Sequence, residues 1–227
     1  MLTRRELLVA SIAALMCPRS ALAKVMTGQK LSWPAFRTKM AKLAESVVLN
    51  NANQINVDGI GLQILKDLDI TTSEFEQAVD ASYETGNRYW LWQRLIKEPQ
   101  LNGGILTIDN NQLVQLHNHP GATGIVRIIS GEAEVWQFDE TAQHNGKVEL
   151  QRISHRILKA GDTATLTPDS GNIHALRSIS KECRMLDFFI PPYKRSQRSW
   201  YVPLEKNWFD REKISCKKIS QQDYTDA

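Results

Sequence analysis

Cysteine is scarce in this sequence, and long apolar runs are absent. Three cysteines in 227 residues are too few for a disulfide framework, and none forms a C-x-x-C pair of the kind that binds metal. No stretch reaches the roughly 18 consecutive apolar residues that a membrane-spanning helix needs. Charge is nearly balanced, with 28 basic and 25 acidic side chains, and this excess is too small to indicate a nucleic-acid partner.

The rest of the composition is that of an ordinary folded chain. Hydrophobic residues make up 42% and charged residues 23% of the sequence, which excludes an intrinsically disordered protein. The length predicts one substantial domain with at most a smaller appendage.

Residues 1–23 have the features of an export signal. Arg4-Arg5 precede an apolar run from Leu7 to Met16, and Ala21-Leu22-Ala23 gives the A-x-A end of a cleavage site. The paired arginines resemble a twin-arginine signal, which predicts a periplasmic protein. An N-terminal helix of the folded domain is the alternative interpretation. Cleavage would leave Cys183 and Cys216, which could pair in an oxidising compartment.

Residues 24–86 are predicted to form a helical N-terminal extension. From Ser32, apolar residues recur at steps of three and four, which predicts a helix that ends at Asn50-Asn51. Shorter helices are expected over Gly61–Leu68 and from about Thr72. These apolar stripes are interpreted as packing faces.

Residues 87–205 change to short strands separated by turns, which predicts a mainly β sandwich or barrel. Residues 206–227 are polar and mixed in charge, and they are predicted to be a surface tail. The nine candidate strands are Arg88–Ile96, Gly104–Ile108, Leu113–His117, Gly124–Ser130, Glu132–Phe138, Glu149–Leu158, Thr163–Leu166, His174–Ile179 and Cys183–Ile190.

Three histidines are candidate metal ligands. His117 and His119 stand at i and i+2, so an extended backbone would direct both imidazoles to one face. His174 lies on a later strand. This pattern resembles a two-motif cupin barrel, although the Glu common in cupins is replaced by Thr123 and Gly124.

A site of three neutral imidazoles suits Fe(II), Zn, Cu or Ni. It leaves the full charge on the metal and therefore favours an anionic ligand such as a thiolate. Iron with open positions could bind substrate and O₂ side by side, whereas Zn would favour hydrolytic chemistry. The alternatives that remain open are an isomerase or hydrolase with another metal, and a metal-dependent binding or sensor module without turnover.

His144 and His155 are weaker candidates. His144 lies in a polar stretch and is expected to be solvated. His155 shares a strand face with Ile153 and Ile157, which favours an inward, packed position.

Three short blocks together resemble the cysteamine dioxygenase and plant cysteine oxidase family of thiol dioxygenases. They are Leu116–Gly121, Gly171–His174, and Cys183–Asp187 followed by Pro191-Pro192-Tyr193. The resemblance implies a cupin barrel that holds one Fe(II) per chain on His117, His119 and His174. It also implies that a thiol and O₂ react to give a sulfinate.

Asp187 and Tyr193 are the further candidate catalytic residues. Asp187 alternates with Cys183, Met185 and Phe189, so it is expected to be buried and to need a partner. That partner is a metal-bound His or the substrate, with a salt bridge to an Arg as the alternative. Tyr193 and Arg198 also match family positions, although Pro191-Pro192-Tyr193 could simply shape a loop.

The sequence departs from the family around the expected pocket. Ser199-Trp200-Tyr201 stands where many members have a Cys and a Tyr pair, so the crosslink that some thiol dioxygenases carry is not available there. The export signal is a second departure. Cysteamine, cysteine, another small thiol and an N-terminal Cys of a peptide all remain possible substrates, and the closed barrel is compatible with a monomer.

Overall fold

The computed structural model describes residues 30–50, 56–86 and 90–225. The predicted export signal, residues 1–23, lies outside the described residues. The compact unit begins at Leu31. In the described part of the chain, no helix is long and apolar enough to cross a membrane.

Four α-helices and twelve β-strands are present in the described ranges. The helices are α1 (Trp33–Asn50), α2 (Val57–Asp67), α3 (Ser73–Asp80) and α4 (Gln221–Thr225). The strands are β1 (Tyr83–Gly86), β2 (Trp90–Lys97), β3 (Asn102–Asp109), β4 (Leu113–His117), β5 (Thr123–Ser130), β6 (Glu132–His144), β7 (Lys147–Lys159), β8 (Thr163–Leu166), β9 (Ile173–Ser178), β10 (Glu182–Ile190), β11 (Ser199–Pro203) and β12 (Lys213–Ser220).

The strands form two antiparallel layers. One is a six-stranded sheet in the order β1-β2-β3-β10-β5-β8, and the other closes on itself in the order β11-β12-β7-β6-β9-β4. From β3 to β10 the chain passes repeatedly between the layers, so that β3, β5, β8 and β10 lie in one and β4, β6, β7 and β9 in the other. This strand order is a double-stranded β-helix, the cupin fold, and the predicted mainly β architecture is confirmed.

The N-terminal helices pack on the six-stranded sheet. Phe36 and Met40 of α1 are fully buried, and the ring of Phe36 lies 5.2 Å from Phe188 of β10 at an angle of 61°. Arg127 of β5 donates to the main-chain carbonyls of Leu65 and Leu68, at 3.1 and 2.8 Å. These carbonyls belong to the end of α2, where cationic donors are favourable. The predicted apolar stripe is therefore a packing face, as expected.

The prediction of a surface tail from Lys206 is wrong for β12. This strand pairs with β11 and β7 and helps to close the second layer. Its alternate residues Ile214 and Cys216 are buried, whereas Lys213 and Lys217 on either side of them are exposed. The segment alternates with the two-residue period of a half-buried strand. Three lysines raise its mean polarity, and for this reason the strand was not predicted from the sequence. The helical extension also ends before residue 86, since β1 joins the six-stranded sheet.

Candidate metal centre

The three predicted histidines meet inside the barrel. β4 pairs with β9, and in this register His117 stands opposite His174. His119 follows two residues after the end of β4. The Nε2 atoms of His117 and His119 lie 3.0 Å apart, and the candidate ligand atoms of all three residues lie within 4.8 Å of one another. Each side chain is buried, with 3% to 7% of its residue surface exposed.

Backbone carbonyls fix the orientation of two imidazole rings. Nδ1 of His117 lies 2.7 Å from the carbonyl oxygen of Gln115, and Nδ1 of His174 lies 3.0 Å from that of Asn172. A carbonyl can only accept, so each Nδ1 carries the proton and each Nε2 keeps a lone pair. This is the tautomer that a metal-binding histidine requires.

His119 is held through its backbone. Its N–H donates to Oδ1 of Asn172 at 2.7 Å, and its carbonyl accepts from Nδ2 of Asn172 at 3.2 Å. Its Nδ1 is buried and has no hydrogen-bond partner among the described residues.

Burial keeps the three imidazoles neutral. It lowers the pKa of His117 and of His119 well below 6.5, and in both cases nearby positive charge lowers it further. Burial also lowers the pKa of His174, to about 4, and the hydrogen bond to Asn172 opposes this shift. At neutral pH all three therefore present the deprotonated form that binds metals.

The donor set fits a divalent transition metal. Two nitrogens that are each about 2.1 Å from one ion and about 90° apart are separated by roughly 3.0 Å, which is the observed separation of the Nε2 atoms of His117 and His119. Among the described residues, the cluster contains no carboxylate or thiolate. Thr123 and Gly124, which stand where many cupins have a Glu, lie at the start of β5. Three neutral ligands would leave the charge of a bound ion uncompensated.

A cavity of about 280 Å³ opens onto the histidines. Its walls combine apolar side chains with three arginines, one carboxyl group and one phenol. The lining residues are Trp92, Arg94, Asn102, Leu106, Val114, His117, His119, His174, Leu176, Asp187, Phe189, Tyr193, Arg195 and Arg198. A small molecule bound here would have direct access to a metal on the three imidazoles.

Asp187 lies in this cavity wall, as its position on β10 predicts. It is 9% exposed, and burial raises the pKa of its carboxyl group to about 7, although the positive charge of Arg198 acts in the opposite direction. Within the described residues, no side chain is hydrogen-bonded to Asp187 and no ion pair involves it. The expected contact with a histidine is therefore not formed, nor is the alternative salt bridge.

Tyr193 and Arg198 form one side of the cavity. The ring of Tyr193 stands edge-on to His119, with centroids 4.4 Å apart and planes at 73°. Nη2 of Arg198 donates a hydrogen bond to the Tyr193 hydroxyl. The guanidinium also lies over the rings of Tyr193 and Trp200, at 5.2 and 5.5 Å from their centroids.

The sequence profile of the PCO_ADO family matches residues 61–223 of this chain. The chain belongs to the PCO_ADO family. This family comprises cupin thiol dioxygenases related to cysteamine dioxygenase and plant cysteine oxidase, so the resemblance predicted from three short blocks is confirmed at the level of the family.

Plant cysteine oxidase 1 of Arabidopsis thaliana is a curated relative. It is 27% identical over 100 residues, which cover 41% of this chain and 34% of that protein. The match thus spans about a third of the length of the relative.

Solved structures with a similar fold have low sequence identity. KdgF from Halomonas sp. is 16% identical with a TM-score of 0.40, over 49% of this chain and 90% of its own. A double-stranded β-helix protein from Klebsiella pneumoniae is 22% identical with a TM-score of 0.39, over 50% of this chain and 82% of its own. An RmlC-like cupin from Shewanella frigidimarina is 17% identical with a TM-score of 0.39, over 49% and 86%.

The other two histidines of this PCO_ADO chain lie away from the candidate metal centre. His144 is exposed, as expected. The expectation that His155 points inward is wrong, because its side chain is 40% exposed and pairs with Glu134 at 2.8 Å. Its ring stacks on Trp136 at 5.2 Å with planes 8° apart. The residues on its strand face, Ile153 and Ile157, are themselves exposed, which removes the basis for an inward position.

The two cysteines are buried and unpaired. They belong to separate parts of the hydrophobic core, so the possible disulfide is not formed. Burial raises the pKa of the Cys183 thiol to about 11 and that of Cys216 to about 12, so neither supplies a thiolate at neutral pH.

Sequence reasoning missed Asn172 and gave Arg198 no role. Asn172 is part of the G-N-I-H block that identified His174, so its position two residues before a ligand was the available signal. The burial of Arg198 had no local signal, because it depends on β11 lying beside β4.

Proposed function

We propose that this protein is a non-haem Fe(II) thiol dioxygenase that converts a thiol and O₂ into a sulfinate. The observation that carries the proposal is the meeting of three neutral histidines at the base of a cavity in a PCO_ADO chain. Both oxygen atoms of O₂ are added to sulfur, so that RSH and O₂ give RSO₂H without a further reductant.

His117, His119 and His174 would hold the iron through their Nε2 atoms. When bound, iron supplies the redox chemistry that joins a thiolate to O₂, and the protein determines how the reactants are placed. A neutral ligand set attracts an anionic sulfur, because no carboxylate offsets the charge of the metal. The apolar walls, including Leu106, Val114 and Phe189, exclude water from the reacting sulfur.

Asp187 is proposed to orient the substrate. Its carboxyl group lines the cavity, and the described residues leave its hydrogen-bonding capacity unused. An amino or hydroxyl group on the substrate would satisfy it. Tyr193 is proposed to position His119 and to limit the cavity, since its ring contacts that imidazole and its hydroxyl is held by Arg198.

Residues 1–23 are proposed to direct the protein to the periplasm by the twin-arginine route. That route transports folded proteins, so the metal could be loaded before export. Replacement of Arg4 and Arg5 by Lys should retain the protein in the cytoplasm, and unchanged export would contradict the proposal.

Metal analysis and oxygen uptake test the enzyme proposal. Protein purified and reconstituted without oxygen should hold about one iron per chain. It should consume O₂ with at least one thiol and yield a product heavier by two oxygen atoms in mass spectrometry. Retention of Zn in place of iron, or no sulfinate from any member of a thiol panel, would overturn the proposal. A His144→Ala variant, altered at an exposed histidine, is the matched control for changes in the three buried ones.

A further inference from the structure

Arg198 is a buried charge that forms no ion pair with any described carboxylate; the Asp187 carboxyl in the same cavity is within range of its charge but does not contact it. Its residue surface is 8% exposed. Its known contacts are the neutral hydroxyl of Tyr193 and the faces of Tyr193 and Trp200. Its Nε is buried without a hydrogen-bond partner among the described residues. A buried guanidinium in this condition has lost water without gaining a counter-ion, which is unfavourable.

Basic side chains outnumber acidic ones among the described residues that line the cavity. Arg94 and Arg195 line it together with Arg198, whereas Asp187 is the only carboxyl group among the described lining residues. A divalent metal on the three histidines would add further positive charge. Such a cavity favours an anionic ligand. The attraction is stronger than at an open surface, because protein walls screen charge less than water does.

We propose that the substrate is a small thiol that carries a carboxylate, and that Arg198 binds this group. The inference rests on the proposed function and narrows its substrate class. The thiol sulfur would face the three histidines, and the carboxylate would face the guanidinium in a charge-assisted hydrogen bond. An N-terminal Cys of a peptide has its carboxyl group in an amide, and cysteamine has none, so neither would neutralise Arg198.

Asp187 distinguishes two members of this class. A 2-amino thiol acid such as cysteine would also place an ammonium group near the Asp187 carboxyl. A thiol acid without an amine, such as 3-mercaptopropionate, would use Arg198 alone. Comparison of the two acids therefore separates the contribution of Asp187 from that of Arg198.

The first test compares an acid with its amide on the unaltered protein. Binding of 3-mercaptopropionate and of 3-mercaptopropionamide to the iron-loaded protein is measured by calorimetry without oxygen. The acid should bind at least about 10-fold more tightly than the amide, because only the acid can form the charge-assisted hydrogen bond with Arg198. Equal affinities would overturn the inference. Because no residue is changed, the result does not depend on the folding of a variant.

The second test replaces the guanidinium. Arg198→Gln should weaken binding of the acid by about 10- to 100-fold and leave that of the amide and of cysteamine nearly unchanged. Arg156→Gln, which alters an exposed arginine that does not line the cavity, is the control and should have no effect. A loss of the same size for acid and amide would show that Arg198 only supports the fold, and the inference would be wrong.

Failure of the inference and failure of the proposed function give different results. If cysteamine or an N-terminal Cys peptide is oxidised as efficiently as either acid, the inference fails and the dioxygenase remains. If the acids bind with the expected selectivity but no thiol yields a sulfinate, the binding site stands and the proposed reaction fails.

Discussion

Asn172 holds His119 by a pair of hydrogen bonds to both sides of its backbone, with Oδ1 accepting from the N–H at 2.7 Å and Nδ2 donating to the carbonyl at 3.2 Å. His119 lies beyond the end of β4, so strand pairing alone does not fix it. The carbonyl of Asn172 also contacts Nδ1 of His174 at 3.0 Å. One residue therefore positions two of the three candidate ligands.

Replacement of Asn172 by Ala should weaken metal binding by about 10- to 100-fold, the usual effect of removing a group that orients a ligand. The loss arises because His119 is no longer tied to the β9 side of the site. A chelator-buffered metal titration measures the affinity. Asn110→Ala, at an exposed turn, is the control. Unchanged affinity in the Asn172 variant would show that the pair of hydrogen bonds does not support the site.

Replacement of His174 by Ala should abolish metal retention, because only the imidazoles of His117 and His119 remain and β9 then contributes no ligand. Elemental analysis after dialysis measures the metal per chain. His144→Ala should retain the metal content of the unaltered protein. A full complement of metal in the His174 variant would exclude the three-histidine site.

The same His174→Ala variant should change the pH dependence of stability in the metal-free protein. The unfolded chain protonates this imidazole below about 6.5, whereas burial lowers its pKa in the folded protein to about 4. Protonation therefore favours the unfolded state, and stability falls as the pH decreases through this interval. In the unaltered protein this protonation lowers the free energy of unfolding by up to about 1.4 kcal/mol for each pH unit, and the variant should lack that contribution. The raised pKa of Asp187 makes stability increase as the pH decreases. This effect is present in both proteins, so it cancels when the two are compared.

Urea denaturation of the two metal-free proteins across this pH range measures the slope. The exposed His144→Ala variant should reproduce the slope of the unaltered protein. Parallel curves for the His174 variant and the unaltered protein would contradict the prediction.

Replacement of Phe36 by Ala should destabilise the whole domain by about 3–5 kcal/mol, the usual cost of removing a buried Phe. Its ring is fully buried between Trp33 and Phe188, at 5.4 and 5.2 Å. Val48→Ala on the same helix is the control, since that residue is 62% exposed. Urea denaturation should show one transition, shifted only in the Phe36 variant. A separate early transition would show that the helices unfold independently of the sheet.

Replacement of Tyr224 by Ala should destabilise the protein by about 1 kcal/mol, in the range measured for aromatic pairs. Its ring stacks on Trp200 at 3.8 Å with planes 6° apart, and Trp200 in turn lies 5.0 Å from His117. Tyr224→Phe keeps the stacked ring and should therefore lose less stability than Tyr224→Ala. Thermal unfolding of both variants measures the difference. Equal losses would assign the effect to the hydroxyl group rather than to the stacked ring.

Much of the fold could be predicted because its signals are local. The apolar stripe of α1 and the alternation in β4 and β8 repeat within a few residues, so they identified each element near its observed bounds. β12 was missed because its buried face has few apolar residues among lysines. His155 was placed wrongly because its neighbours Ile153 and Ile157 suggested a buried face that in fact faces outward.

The sequence by itself predicted the helical front, nine of the twelve described strands and the identity of the three histidines, and it supplied the export signal as a hypothesis. The spacing of His117 and His119 directs both rings to one side of an extended backbone, whatever the rest of the chain does. The tertiary structure decided that His174 stands opposite His117 and that Arg198 and Asp187 share their cavity. These relationships depend on the register between strands far apart in sequence, which no local pattern contains.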